Sequence, residues 1–262
     1  MKRIKLFSVL ALSAMTITTL STTAFAEEAV EYHSHGVVEF RPNTDPTDPV
    51  DPENPDPENP VVPTDPSNPG GEPEPGTQGP LSIDYASTFD FGVNKISNKD
   101  ETYYARAQHY NDGHSDTPDY VQVTDNRGTN SGWKLTVKES GQLTATTDTL
   151  NKVLTGAQIT LAHPNVTSNA SGVTAPTAAE DISLNPDGSE SVVMTAAEKS
   201  GAGTWEDYWG KVESVQEEDE QGAKQDVNIT KDVALSVPGS TPKDAVKYQT
   251  TLTWTLTDVP SN

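Results

Sequence analysis

Apolar and polar residues alternate in short runs spread across residues 81–262. Leu81-Ser82-Ile83-Asp84-Tyr85 opens the pattern, and Phe89 and Phe91 continue it. Further candidate strands are 120–123, 133–137, 157–161, 181–184, 191–195, 227–230, 233–237 and 248–256. A period of two places successive side chains on opposite faces of a strand. Thr and Val dominate these runs and suit a pleated surface. Turn-forming clusters separate them: Asn111-Asp112-Gly113, Asn126-Arg127-Gly128, Asn185-Pro186-Asp187-Gly188 and Pro238-Gly239-Ser240. Many short strands with such turns predict an all-β domain of mainly antiparallel strands, a sandwich or barrel-like fold. One segment breaks the period. Trp205, Tyr208, Trp209, Val212 and Val215 recur at steps of three and four, while Gly201, Gly203 and Gly210 crowd the same stretch. That spacing predicts a short helix or an irregular aromatic loop, with Trp205, Tyr208 and Trp209 as a candidate contact cluster.

The first 80 residues are patterned differently. Lys2, Arg3 and Lys5 precede an uncharged, mostly apolar run over residues 6–20, and Ala24-Phe25-Ala26 follows. This is the layout of a secretory signal peptide over residues 1–26, cleaved after Ala26. The run is short for a membrane span and thinned by Ser and Thr, and no later segment reaches spanning length, so an integral membrane protein is not expected. Residues 27–41 read as a short flexible lead-in carrying His33 and His35. Residues 42–80 hold 13 prolines and nine Asp or Glu, with no Lys or Arg. Proline removes backbone donors and extends the residue before it, and few apolar groups remain to form a core. The segment therefore predicts a disordered acidic spacer, largely polyproline II, reaching up to about 120 Å.

Charge narrows the partners. The chain has 17 Lys+Arg against 39 Asp+Glu, and three of the basic residues lie in the leader, which leaves the mature chain near −25. A surface of that sign repels nucleic acid and anionic lipid. There is no cysteine, so the fold stands without disulfides. Catalytic chemistry is not evident. Asp84, Asp90, Glu206 and Asp207 lie near aromatics, as in a sugar cleft, but nothing in the spacing sets a carboxylate pair at the separation glycoside hydrolysis needs, so they read as solvated acidic surface. His109 and His114 flank a turn without the spacing of a metal motif. Glu217-Glu218-Asp219-Glu220 does not match a calcium loop and reads as an exposed turn. No cofactor, no metal site and no enzymatic activity are expected.

Two runs stand out. Trp133, Leu135 and Val137 share one strand face, and Leu252, Trp254 and Leu256 repeat the arrangement near the end of the sequence. Both contain Trp-x-Leu. Each tryptophan reads either as a core anchor, since a ring of this size buries 150–250 Å², or as a contact to a ligand. The surroundings add to the signal. Asp119–Val123, Thr124-Asp125-Asn126-Arg127-Gly128 and Gly132-Trp133-Lys134-Leu135-Thr136-Val137 resemble the first signature of the WxL-domain cell-surface proteins of Gram-positive bacteria. Residues 248–260 resemble their C-terminal signature, and Leu81–Tyr85 and Gly156–Leu161 also look like members. The resemblance covers residues 81–262, with no additional domain before the spacer. It implies export and non-covalent attachment to the cell wall by binding peptidoglycan. The alternative is a structural or interaction subunit of a complex with other cell-surface proteins.

Overall fold

Alternating sequence becomes strand wherever a partner edge lies alongside. The computed structural model describes residues 30–68, 70–218 and 223–258. The expected leader lies outside the described residues, as do Asp219 and Glu220 of the acidic turn and the last residues of the C-terminal signature. The chain divides into two units, residues 1–39 and 40–262. Within the first, residues 30–39 are exposed and carry no regular secondary structure.

The second unit is built of strands. In chain order these begin with β1 (Leu81–Ala86), β2 (Glu101–Arg106), β3 (Tyr120–Asp125), β4 (Trp133–Glu139) and β5 (Thr144–Ala145). Next come β6 (Gln158–Ala162), β7 (Pro164–Thr167), β8 (Thr177–Ala178), β9 (Asp181–Ser183) and β10 (Ser191–Ala196). The last are β11 (Gly203–Trp209), β12 (Val212–Glu218), β13 (Lys224–Val237), β14 (Tyr248–Gln249) and β15 (Leu252–Thr257). One sheet has the order β1-β3-β11-β7 and a second β15-β4-β10-β8. A third runs β12-β13-β6-β9 with β2 also on β13, and β14 pairs β5. The pairings between these strands are antiparallel. The all-β, mainly antiparallel expectation is met. The runs 227–230 and 233–237 join into the single long β13, and a shift of register between Thr230 and Ala234 marks where they were distinct.

The three larger sheets send apolar side chains into one cluster that includes Val121, Val123, Trp133, Leu135, Leu161 and Leu235. The first sheet is covered on its other face too, where Tyr85, Tyr110, Tyr120 and Val61 form a second, smaller cluster with Tyr208 against it. Burial on both faces erases the simple apolar–polar alternation, and this corrects two expectations. Trp205 to Val215 is neither helix nor loop: it forms β11 and β12, turned by Gly210. Trp205 and Trp209 enter the main core while Tyr208 points to the opposite face, so a spacing of three and four arose from a doubly buried strand. Glu217 and Glu218, read as part of an exposed turn, close β12.

The proline-rich stretch is the other correction. Residues 43–68 do not behave as a disordered spacer. Val50 is 2% exposed and Val61 6%. The Val61 amide donates to the Pro49 carbonyl at 2.9 Å and closes a loop. Two turns lie within it: the Glu53 amide donates to Asp51 Oδ1 at 2.9 Å, and the Glu58 amide to Asp56 Oδ1 at 3.0 Å. Composition alone gave too little apolar area for a core. A tyrosine-lined face elsewhere in the chain supplies the other half, and proline lowers the entropy lost on docking.

Candidate functional site

The two Trp-x-Leu strands are neighbours. β15 pairs β4 with Leu256 opposite Leu135 and Trp254 opposite Val137. Opposite residues share a face, so all four side chains point into the main core from one sheet. Trp133 and Leu135 are fully buried, while Trp254 and Leu256 are half-buried and pack against them. The Trp133 Nε1–H donates to the Gly201 carbonyl at 2.9 Å. Glycine is required around this ring. Gly201 has φ 71° and Gly132 φ 79°. A Cβ on Gly201 would overlap Ala196 Cβ and the Trp133 indole, and one on Gly132 would overlap the Ala196 carbonyl.

The polar residues of the signature hold the crossing from β3 to β4. Arg127 donates from Nε to Asp125 Oδ1 at 2.9 Å, from Nη2 to Asp125 Oδ2 at 2.8 Å, and from Nη2 to the Gly132 carbonyl at 2.8 Å. That fork fixes the loop that delivers Trp133. Asp84 of the opening strand accepts from Ser82 Oγ at 2.6 Å, Gln122 Nε2 at 3.0 Å and Thr124 Oγ1 at 2.6 Å. Burial nevertheless raises its pKa above the ordinary carboxyl value.

The aromatic candidates are dispersed. Trp209 is fully buried, stacks on Trp254 at 6.2 Å between ring centroids, and meets Phe89 edge-on at 5.9 Å. Trp205 is buried and donates from Nε1 to the Ala202 carbonyl at 3.0 Å. Tyr208 sits half-buried across the sheet. The three do not share one surface.

The carboxylates near them are buried singly. Glu206 and Asp207 are adjacent in β11, so they face opposite ways. Neither has a hydrogen-bond partner for either side-chain oxygen. Burial, followed by the charges of Asp84 and Asp51, pushes Glu206 up to about 8. Burial raises Asp119 and Asp207 well above the usual range and takes Glu139 to about 7. Burial favours the neutral form of each, and Glu206 and Asp207, on opposite faces of β11, are not arranged as a glycosidase pair. The histidines pair locally. His109 Nδ1 lies 2.7 Å from Asp116, His114 Nε2 3.3 Å from Asp51, and His163 Nδ1 2.6 Å from Asp232, which raises the pKa of His163. Among the described residues no group of three or more His, Cys, Asp or Glu is placed to hold a metal, and no helix is long and apolar enough to cross a membrane.

One open cleft, of about 580 Å³, runs beside the C-terminal signature. Ser140, Gln142, Thr144, Thr146, Gln249 and Thr250 line it. No charged side chain is in the lining. Sequence reading missed this cleft because its hydroxyls come from segments a hundred residues apart. The doubled Thr250-Thr251 before the second tryptophan was the available signal.

No curated protein and no solved structure matches the chain. The family described as WxL domain surface cell wall-binding matches residues 27–260. The match takes in the proline-rich stretch as well as the strands, in agreement with the docking of that stretch on the sheet. With both signatures on neighbouring strands of one sheet and the match spanning most of its length, the chain belongs to the WxL family of cell-surface, cell wall-binding domains, as a non-enzymatic module.

Proposed function

We propose that this chain attaches non-covalently to the cell wall by binding peptidoglycan, after export directed by residues 1–26. The family match over residues 27–260 carries the reading. In it the Trp-x-Leu strands are scaffold. Trp133, Leu135, Trp254 and Leu256 hold β4 and β15 together, and the contact to the wall is made by what those strands present at their edges. The cleft of about 580 Å³ beside Gln249 and Thr250 fits that task, since neutral hydroxyls and amides match the hydroxyl and amide groups of glycan chains without demanding charge. The strong negative charge keeps the domain from sticking to anionic polymers indiscriminately.

The test is sedimentation of purified chain, lacking residues 1–26, with isolated walls stripped of protein. Saturable co-sedimentation that Thr250→Val and Gln249→Ala weaken supports the reading. A chain that stays in the supernatant, yet recovers defined partners from a surface extract, would replace it with the role of a subunit in a surface complex. Release of soluble muropeptides would contradict the non-enzymatic reading.

A further inference from the structure

The face of the first sheet turned away from the main core is occupied by the chain's own residues 48–64. The contacts are specific. Gln122 grips the loop backbone with both ends of its amide: Oε1 accepts from the Val50 amide at 2.9 Å, and Nε2 donates to the Asp48 carbonyl at 3.1 Å. Thr167 Oγ1 donates to the Pro52 carbonyl at 2.6 Å. The second limb pairs like a strand. The Asn111 amide donates to the Val62 carbonyl at 2.8 Å, and the Thr64 amide to the His109 carbonyl at 2.9 Å. Val61 seats among Tyr85, Tyr110 and Tyr120. Tyrosine-lined grooves of this kind receive proline-rich chains because the ligand loses little entropy on docking.

The loop is also self-contained. Its neck is closed by Val61 and Pro49, and its two Asp-Pro-Glu-Asn-Pro repeats fold into turns on their own bonds. Such an element docks preorganised. Of the five Asp-Pro steps between residues 42 and 68, only Asp51-Pro52 follows an aliphatic residue that has an amide hydrogen, which fixes Val50 as the register pin. The seat is not perfectly filled. A cavity of about 180 Å³ remains between Pro46, Pro49, Pro75, Asp84 and Tyr85. The Tyr120 hydroxyl and both Glu206 oxygens lack partners in the occupied state.

We propose that this face is a docking groove for a preorganised proline-rich loop, filled here by residues 48–64 of the same chain and able to take the same loop from a second copy. Exchange of an identical element between copies preserves every contact and requires only that the connection open. The connection lies between Asp65 and Gly71, where the Asp65 amide donates to the Gly71 carbonyl at 3.0 Å and Pro66, Ser67, Asn68 and Gly70 are exposed.

The test starts from the whole folded chain. A site for a specific protease is placed in the turn between Asp65 and Gly71, and the folded protein is cut there. Labelled peptide of residues 43–68 is then added and followed by anisotropy, with tryptophan near-ultraviolet dichroism as the reporter of the core. The groove predicts saturable entry of the peptide with the dichroism unchanged, competition by unlabelled peptide, and at least tenfold weaker entry of the Val50→Pro peptide, which has no amide for Gln122. Three results would overturn it: no exchange under conditions where the cut fragment is shown to leave, equal entry of the Val50→Pro peptide, or collapse of the tryptophan signal when the fragment leaves. The last would make residues 48–64 an inseparable part of the core.

Discussion

Glu206→Gln should make the domain more stable at neutral and alkaline pH and leave it nearly unchanged in mild acid. Glu206 is fully buried on β11, and neither oxygen has a partner. Burial, then Asp84 and Asp51, lifts its pKa from 4.5 to about 8. The native state therefore holds a proton that the unfolded chain releases above 4.5. Stability is greatest below that value and falls as the pH climbs to about 8. Each pH unit in the window is worth 1.36 kcal/mol. At pH 7 the wild type is thus destabilised by about 3 kcal/mol relative to a neutral side chain of the same shape, and above pH 8 by about 5 kcal/mol. Glutamine leaves a buried polar group in the same place, so the baseline in acid is shared. Denaturant unfolding followed by tryptophan fluorescence at about pH 5, 7 and 9 reads the difference. The variant should gain under 1 kcal/mol at the lowest pH, with the gain growing through the series. A gain of equal size at all three values would falsify the assignment of a buried neutral carboxyl.

Other outcomes follow from the same contacts. Glu139, Asp119 and Asp207 are also shifted upward by burial, so the wild-type melting temperature should rise as the pH falls from about 8 to about 5, and a flat profile would contradict their neutral burial. Trp133→Ala, at a fully buried ring with its indole N–H bonded, should cost about 4 kcal/mol, whereas Trp254→Ala, half-buried and stacked on Trp209, should cost about 2 kcal/mol. Native stability in Trp254→Ala with wall binding abolished would instead make that ring a ligand contact. Gly201→Ala should lose about 3 kcal/mol or more in urea unfolding, since it combines a positive φ with overlap on Trp133.

The sequence by itself determined the local structure of the strands that have a wet side. Trp133–Val137 and Leu252–Leu256 alternate because polar residues fill the face turned from the core: Lys134, Thr253 and Thr255 reach solvent, and only Thr136 is covered, so period two is visible in the residues. The turns were legible for a similar reason, because Asn, Asp, Gly and Pro act through their own backbone. The paired signatures carried the family.

Tertiary structure decided everything that depends on a second surface. β11 is covered on both faces, so its tryptophans and Tyr208 gave a helical spacing in a strand. Glu206 and Asp207 looked like surface charge, and only the layers that cover the two faces of β11 show that they are buried. The proline-rich stretch read as a free spacer because polyproline chains have no internal bonds to betray a fold. Its order comes from Gln122, Thr167 and the tyrosines, residues 24 to 115 positions away along the chain from the limbs they hold. A loop whose stabilising half lies so far off leaves no periodic trace in its own sequence, and only the folded chain brings the two halves together.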